Sequence, residues 1–504
     1  MPNPLFDALF GVHEGHDTPF LYLPDGKVLS YADFLGLAAQ FAHALTARDL
    51  GPGDRLAVQV EKSASCLALY AAAVQAGVVF LPLNTAYTQS ELAYFIENSG
   101  AALVICDEAR RREIAPMTER LGASLDTLNA DGGGSLSELA VGMDTFFPTV
   151  DRQDSDLAAL LYTSGTTGRS KGAMLSHQNL LSNAEILTDA WRFDASDILL
   201  HALPIFHTHG LFVATNVVLK AGGAMIFLPR FDLDQVIDWL PRATTMMGVP
   251  TFYTRLLSDS RLDQDLVADM RLFTSGSAPL LEETHRAFEA RTGHRILERY
   301  GMTETNMNTS NPYNGARKPG TVGPPLPGIE LRIIEPESGA DVPQGETGMI
   351  EVRGPNVFQG YWQMPEKTAE ELRDSGFFIT GDLGRIDADG YVSIVGREKD
   401  LIISGGYNVY PKEVELVLDE LPGILESAVI GVPHPDFGES PVAILVPETG
   451  VEPDLAQIES ATADSLARYK QPKRYVVVDA LPRNTMGKVQ KAALRAEYAK
   501  LLTE

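Results

Sequence analysis

The stretch "YTSGTTGRSKGAMLSH", Tyr162 to His177, opens with three glycines, five serine or threonine hydroxyls and two cations in its first eleven residues. Small hydroxyls, a permissive backbone and positive charge at the far end are the chemistry of a phosphate cradle. Which cradle it is decides the fold. A P-loop needs Gly, four residues, then Gly-Lys-Ser/Thr at the start of a helix. Counted from Gly165, Ser170 stands where the second glycine belongs, and Gly172 where a hydroxyl should follow Lys171. The continuation "GAMLSH" reads as a strand, not a helix. The segment is therefore expected as a turn between two strands that wraps phosphates with N–H groups, hydroxyls and one ammonium. A plain surface hairpin is the competing interpretation.

Outward from this turn, short apolar runs alternate with helical periodicity. "SYADFLGLAAQFAHALTARDL" (Ser30–Leu50) has a Ser-x-x-Asp start and apolar spacing of three and four, a capped helix. "DRLAVQV" reads as a strand, "CLALYAAAVQAG" as a buried helix ending on Gly77, and "VVFLPL" as a strand. "ALVICD", "LAALLYTS", "DILLHALP", "GAMIFLP", "TTMMGVP" and "MRLFTSG" continue the strand series. Strands interleaved with helices imply an α/β class, with mostly parallel sheets covered by helices. Around Gly320–Gly360 turn-rich strands replace the helices, which marks a β-rich subdomain over about 320–396. "GREKDLIISGG" (Gly396–Gly406) is a charged, glycine-flanked boundary. The remainder has its own order: helix, two strands, helix, strand and a basic helical tail. A large body over 1–396 with a small α+β lid over 401–504 follows. No internal repeat or low-complexity segment interrupts it.

With Lys and Arg at 41 against Asp and Glu at 67, the net charge is −26. Nucleic acid and anionic membranes, which demand a basic footprint, are excluded as partners. A polyanion must bind through local exceptions to this field. One lies at Leu466–Lys500, where nine basic residues face only Asp479 and Glu497; most of it is expected to be a solvated charged face. No run approaches the roughly 20 apolar residues of a membrane span. The start has no basic residue before a long apolar core, so it is not a secretory signal. Cys66 and Cys106 sit in apolar segments and are expected as two buried thiols, which points to the cytoplasm.

Further glycine-flanked segments carry chemistry in a fixed order. "TSGSAPL" (Thr274–Leu280) lies between a strand and a helix, where small residues let a flat ring approach the backbone. "ERYGMTET" (Glu298–Thr305) gathers a cation, an aromatic ring, hydroxyls and two carboxylates. "GFFITGDLGRID" brings a strand to Asp382 and "IVGREKD" another to Arg397; a carboxylate is the acceptor that ribose hydroxyls need. Each could be mere turn chemistry, but their order is far more specific.

Together with "LPIFHTHG", "GREKDLIISGGYNVYPKEVE" and "LPRNTMGKVQK", these segments resemble the adenylate-forming superfamily of acyl-CoA synthetases, adenylation domains and luciferases along essentially the whole chain. "LPLNTAYTQSEL", "HALPIFHTHGLFVATN", "GVPTFYTRLL" and "ERYGMTETNMNTSNPY" resemble its malonyl-CoA synthetase branch. The resemblance implies a two-step ligase using ATP, Mg²⁺ and coenzyme A, in which a carboxylate takes AMP and the CoA thiol then displaces it. A related ligase for methylmalonate or another short acid, an adenylation domain loading a carrier protein, and a catalytically idle nucleotide-binding regulator are the alternatives.

The resemblance assigns residues one at a time. Thr163, Ser164, Gly165, Thr166, Thr167, Gly168 and Lys171 match the loop holding the β- and γ-phosphates. Gly276, Ser277, Ala278 and Pro279 match the adenine segment, with Glu298, Arg299 and Tyr300 on the ring's other side and Gly301 and Met302 following. Thr303 matches the α-phosphate contact. Glu304, with Thr167, matches the Mg²⁺ site, since that hard cation prefers oxygen ligands. Asp382 matches the ribose carboxylate and Arg397 its basic partner. Lys488 matches the lysine that reaches the α-phosphate, and acylation of its amine would stop adenylation, which implies a lysine acyltransferase or deacylase as partner. Lys399 matches a hinge at 397–400, and Gly405, Gly406 and Tyr407 a pantetheine tunnel. Lys473 and Arg474 are weaker candidates for CoA phosphates.

A dicarboxylic acid brings a second carboxylate, and a buried anion needs a cation or strong donors. Arg299 can grip it with two parallel N–H bonds. His207 is the second candidate and Ser277 a hydroxyl donor. Arg230 and Arg286 are expected as surface or structural pairs. The His207/His209 pair lacks an evident third ligand, which argues against zinc.

Overall fold

The structure is a computed structural model describing residues 3–163, 170–405, 407–435, 437–484 and 487–502. It divides into two compact units, Met1–Glu330 with Val352–Phe378, and Leu331–Glu351 with Ile379–Glu504.

In the first unit, Ser124–Thr127, Leu103–Cys106, Arg55–Gln59, Val79–Pro82, Leu157–Thr163 and Lys171–Ser176 are neighbours in one sheet, in that order. Every pair is parallel except the last, a hairpin. A second sheet runs Asn306–Ser310, Leu297–Met302, Leu272–Ser275, Thr245–Gly248, Ile198–His201, Ala224–Phe227, Pro19–Tyr22, Val28–Ser30. It is antiparallel only at its two edges. Central strands such as Leu103–Cys106 are buried at every residue, which explains their unbroken apolar sequence, since crossover helices cover both faces of a parallel sheet.

Local signals set the helices. Tyr31–Ala47 begins where the Ser30 hydroxyl accepts from the Asp33 N–H while the Asp33 carboxylate accepts from the Ser30 N–H, a capping box. Ala64–Ala76 stops at Gly77, whose φ of 72° suits a residue without Cβ. Nearly all its side chains are buried, consistent with a helix apolar all round. Cys66 and Cys106 are free, buried thiols, both pushed up to about 12 mainly by burial.

Most of the sheet Glu330–Ile334, Gly348–Arg353, Phe378–Ile386, Val392–Arg397, whose last two strands are antiparallel, belongs to the second unit. Its other sheet follows the order Tyr407–Val409, Ile402–Ser404, Gly438–Pro447, Ile424–His434, with Arg474–Val477 parallel to Gly438–Pro447. Val414, Leu418 and Ile458 of two helices cover one face, and Leu494 of the basic tail helix the other. The α+β order of this region is as expected. Its second helix, Leu455–Ser465, ends where Leu466 turns to extended backbone and buries in the core. No helix among the described residues is long and apolar enough to cross a membrane.

The first unit carries an acid liability. His13, His177, His201, His209 and His294 are all held below the ordinary histidine range mainly by burial, His177 at about 4. As pH falls below about 6.5 the unfolded chain takes up protons that these native imidazoles refuse, so stability drops. Asp107, pushed up to about 6 by burial and by Glu61, and buried Glu298 oppose this, but they are outnumbered. Each unopposed imidazole contributes a slope of up to about 1.4 kcal/mol per pH unit. The urea midpoint of the first unit is expected to fall between pH 7.5 and 5; equal midpoints would contradict the assignment.

Candidate active site

The strands on either side of the expected phosphate turn pair antiparallel. Thr163 faces Lys171 in register across the strand pair, and helix His177–Ala190 starts only after Ser176, whose hydroxyl caps it. The chain returns as a strand, so the geometry is not a P-loop. Ser164, Gly165, Thr166, Thr167 and Gly168 lie outside the described residues.

Lys171 closes the hairpin with its ammonium 2.9 and 3.0 Å from the two Glu371 oxygens and 4.2 Å from the centroid of the Tyr361 ring. The Tyr361 hydroxyl reaches Glu371 Oε2 at 2.6 Å and Glu304 Oε1 at 3.0 Å. Its one proton serves two carboxylates, and burial together with Glu304 and Glu371 pushes its pKa strongly up. Burial raises Glu371, but bonds from Tyr361, Lys367 and Lys171 hold it below the ordinary range. Glu304 is 5 % exposed. A buried carboxylate with oxygen-only chemistry fits Mg²⁺; its expected companion Thr167 is outside the described residues. Sequence inspection missed Tyr361 and Glu371, because "YWQMPEKTAEE" carries no local sign of its partner 200 residues away.

Thr303, Glu304 and Thr305 form the tip between strands Leu297–Met302 and Asn306–Ser310. A Cβ on Gly301 would lie 1.7 Å from the Asn306 carbonyl oxygen. Asn306 itself has φ 51°. The Asn356 amide donates to the Thr305 carbonyl at 2.7 Å and to Asn308 Oδ1 at 3.0 Å. Gly301→Ala is thus expected to force the tip open and cut pyrophosphate release by about 10²-fold, on the scale of a displaced catalytic group, with a lower melting temperature. Unchanged kinetics would refute it.

The adenine candidates follow strand Leu272–Ser275. Gly276 is buried, Ser277 and Ala278 half-buried, Pro279 exposed, and Ser277 has φ 69°. Glu298 points away toward helix Glu282–Thr292, its Oε1 3.5 Å from His285 Nδ1. Burial raises its pKa. Tyr300 is half-buried at the strand end.

Arg299 takes the opposite strand face. It is 3 % exposed, and its Nε and Nη2 have no hydrogen-bond partner among the described residues. Gly276 makes room for it: a Cβ there would lie 2.1 Å from Nη1. Burial pulls this guanidinium down to about 9, against Tyr253. His209, fully buried, has Nδ1 3.2 Å from Ser277 Oγ and an Nε2 with no hydrogen-bond partner among the described residues. Burial first, then Arg299, His207 and His201, hold it far below the usual range, hence neutral. The half-buried His207 accepts the His209 N–H on Nδ1 at 3.2 Å. So Arg299 and Ser277 are drawn together with His209, which sequence inspection weighed only as a possible zinc partner of His207. Arg286 pairs with Glu282 at 2.7 Å on the surface, and Arg230 is exposed.

In the second unit, Asp382 and Arg397 oppose each other across two strands, with Arg397 Nε 2.7 Å from Asp382 Oδ1. Lys399 is half-buried and pushed down to about 8 by burial, with Arg397, Lys488 and Arg495 adding to it against Asp400. Gly405 adopts φ 59°. Gly406 lies outside the described residues. Tyr407 is 61 % exposed and stacks on Tyr469 at 4.8 Å. Lys488 sits in a tight turn, its N–H on Asn484 Oδ1 at 2.9 Å. Lys473 donates its N–H to the Pro441 carbonyl at 2.8 Å, and Arg474 opens an exposed strand end.

The sequence model of the family "AMP-binding enzyme" matches residues 11–362, and that of its C-terminal domain residues 413–488. A malonate–CoA ligase of Arabidopsis thaliana is 35 % identical over 476 residues, covering 88 % of this chain and 78 % of that protein. The mitochondrial malonate–CoA ligase of Mus musculus is 36 % identical over 83 % of this chain and 77 % of its own length. The ATP-bound crystal structure of MatB from Rhodopseudomonas palustris is 56 % identical, covers all of both chains and superposes with a TM-score of 0.98.

Proposed function

The chain belongs to the family of AMP-binding enzymes, and from that premise we propose that it is an ATP-dependent acid–thiol ligase converting malonate, and with it methylmalonate, to the CoA thioester, AMP and pyrophosphate in the cytoplasm. In the first step a malonate oxygen bonds the α-phosphorus and the bond to the β-phosphate oxygen breaks, releasing pyrophosphate. In the second the CoA sulfur bonds the acyl carbon as AMP leaves. A free carboxylate would have to expel oxide; the mixed anhydride with AMP removes that obstacle.

One observation carries the choice of acid. Two buried Arg299 donors without hydrogen-bond partners among the described residues stand beside Ser277 and His209, an environment that penalises an apolar acyl chain and suits a carboxylate. Neutral His209 adds a donor without adding charge. For the nucleotide, Thr163, Lys171 and Thr303 hold phosphate oxygens, the segment Gly276–Pro279 with Tyr300–Met302 holds adenine, and Asp382, steadied by Arg397, takes the ribose hydroxyls. Glu304 would hold Mg²⁺, which when bound neutralises phosphate charge. Lys488 supplies a positive charge at the α-phosphate; the module over 401–504 turns at 397–400 about Lys399 between the steps, bringing Gly405–Tyr407 to the pantetheine arm. Lys488 is also the site for a lysine acyltransferase or deacylase.

Pyrophosphate release with malonate, methylmalonate, succinate, acetate and a long-chain acid, with and without CoA, tests this. Malonate-dependent release that yields malonyl-CoA only when CoA is present is expected. Preference for a monocarboxylate overturns the assignment.

A further inference from the structure

Lys62 is a buried amine with no part in the site described above. It lies between strand Arg55–Gln59 and helix Ala64–Ala76 and is 9 % exposed. Its polar partners among the described residues are both on His201: the carbonyl oxygen at 2.8 Å and Nδ1 at 2.9 Å. The Phe227 ring centroid is 4.2 Å from its nitrogen. Burying an amine among neutral groups is costly, and burial drives its pKa well down. Something else must keep it there.

The hydrogen-bond roles follow from elementary inventory. A lysine nitrogen that donates to a carbonyl and to an imidazole leaves His201 Nδ1 as acceptor, so the ring proton is on Nε2. That Nε2–H donates to the Gly210 carbonyl at 2.9 Å, which also accepts from Thr215 Oγ1 at 3.0 Å. Gly210 is the second residue of the π-helical turn His209–Thr215. It has no lateral freedom, since a Cβ there would lie 2.0 Å from the Pro204 carbonyl oxygen. His209, the residue before it, meets Ser277 in the acid pocket.

We propose that Lys62 is a positioning residue for the acid pocket: through His201 it fixes the Gly210 peptide and so holds the turn that presents His209 to the substrate acid. This rests on the acid pocket assigned under Proposed function.

A double-mutant cycle tests it, with KM for malonate and for ATP read from pyrophosphate release and folding checked by thermal melting. Lys62→Met and His201→Leu are each expected to raise KM for malonate by about tenfold or more and to leave KM for ATP within about twofold, and the double variant to be no worse than the poorer single. His201→Gln, whose amide nitrogen can reach Gly210, is expected to stay within about threefold of wild type. Additive losses, or equal changes in both KM values, overturn the proposal. Should His201→Leu fail to fold, His201→Ala, which removes both hydrogen bonds, replaces it in the cycle with the same outcomes. Should Lys62→Met fail, Lys62→Gln replaces it with the same outcomes. A wild type that ignores malonate but activates another acid sinks the malonate assignment alone; the cycle is then run with that acid and judged by the same criteria.

Discussion

Arg299→Leu is expected to abolish malonate use while ATP affinity stays within about twofold, since the variant removes one partner of a buried charge pair and touches no phosphate contact. The guanidinium Nε and Nη2 are buried without hydrogen-bond partners among the described residues. They are donors awaiting an acceptor, and a carboxylate with two oxygens is the acceptor whose geometry matches two parallel N–H groups. Without them, the second carboxylate of malonate would enter a dry site alone. The cost of breaking such a pair is about 3–5 kcal/mol, or roughly 10²- to 10³-fold or more in KM. Lysine should rescue poorly, because it lacks the planar fork. The same physics makes an opposite prediction for the resting protein. Removing an unsatisfied buried cation and replacing it with hydrocarbon relieves a desolvation penalty, so Arg299→Leu should melt no lower than wild type, a trade of stability for function. An Arg299→Ala variant with unchanged KM for malonate would overturn the carboxylate role.

Lys488→Ala is expected to separate the two half-reactions. Loss of an ammonium aimed at developing charge typically costs about 10²- to 10³-fold, so malonyl-AMP formation from malonate and ATP should fall by that order. Thioester formation from supplied malonyl-AMP and CoA should fall no more than a few-fold, because AMP departure does not call on this residue in the proposed scheme. Acylation of the amine should mimic the substitution by removing its charge, and a deacylase should reverse it. Mass spectrometry with the half-reaction assay reads both. Equal losses in the two steps, or full adenylation by the acylated enzyme, would refute the role.

How much of this was legible from residues in a row differs element by element. Ser30 and Asp33 announced the start of the helix Tyr31–Ala47, and Gly77 the end of the helix Ala64–Ala76, because capping involves partners three or four residues apart. The failed P-loop spacing after Gly165 and the strand-like "GAMLSH" anticipated the hairpin that Thr163 and Lys171 close. Asp382 and Arg397 were each visible at a strand end, but only the register placed them opposite one another at 2.7 Å. Sequence inspection singled out His207 for the acid; the turn His209–Thr215 sends His209 to Ser277.

Sequence alone determined the α/β class, the strand and helix succession, the hairpin character of the phosphate turn and the family motifs, since each depends on hydrophobic period, turn chemistry or spacing within a few residues. Tertiary structure alone decided that two Arg299 nitrogens lack hydrogen-bond partners among the described residues, that Tyr361 links Glu304 to Glu371, and that Lys62 reaches His201 139 residues away. Desolvation and pairing are set by which distant backbones converge, and no local pattern encodes that convergence.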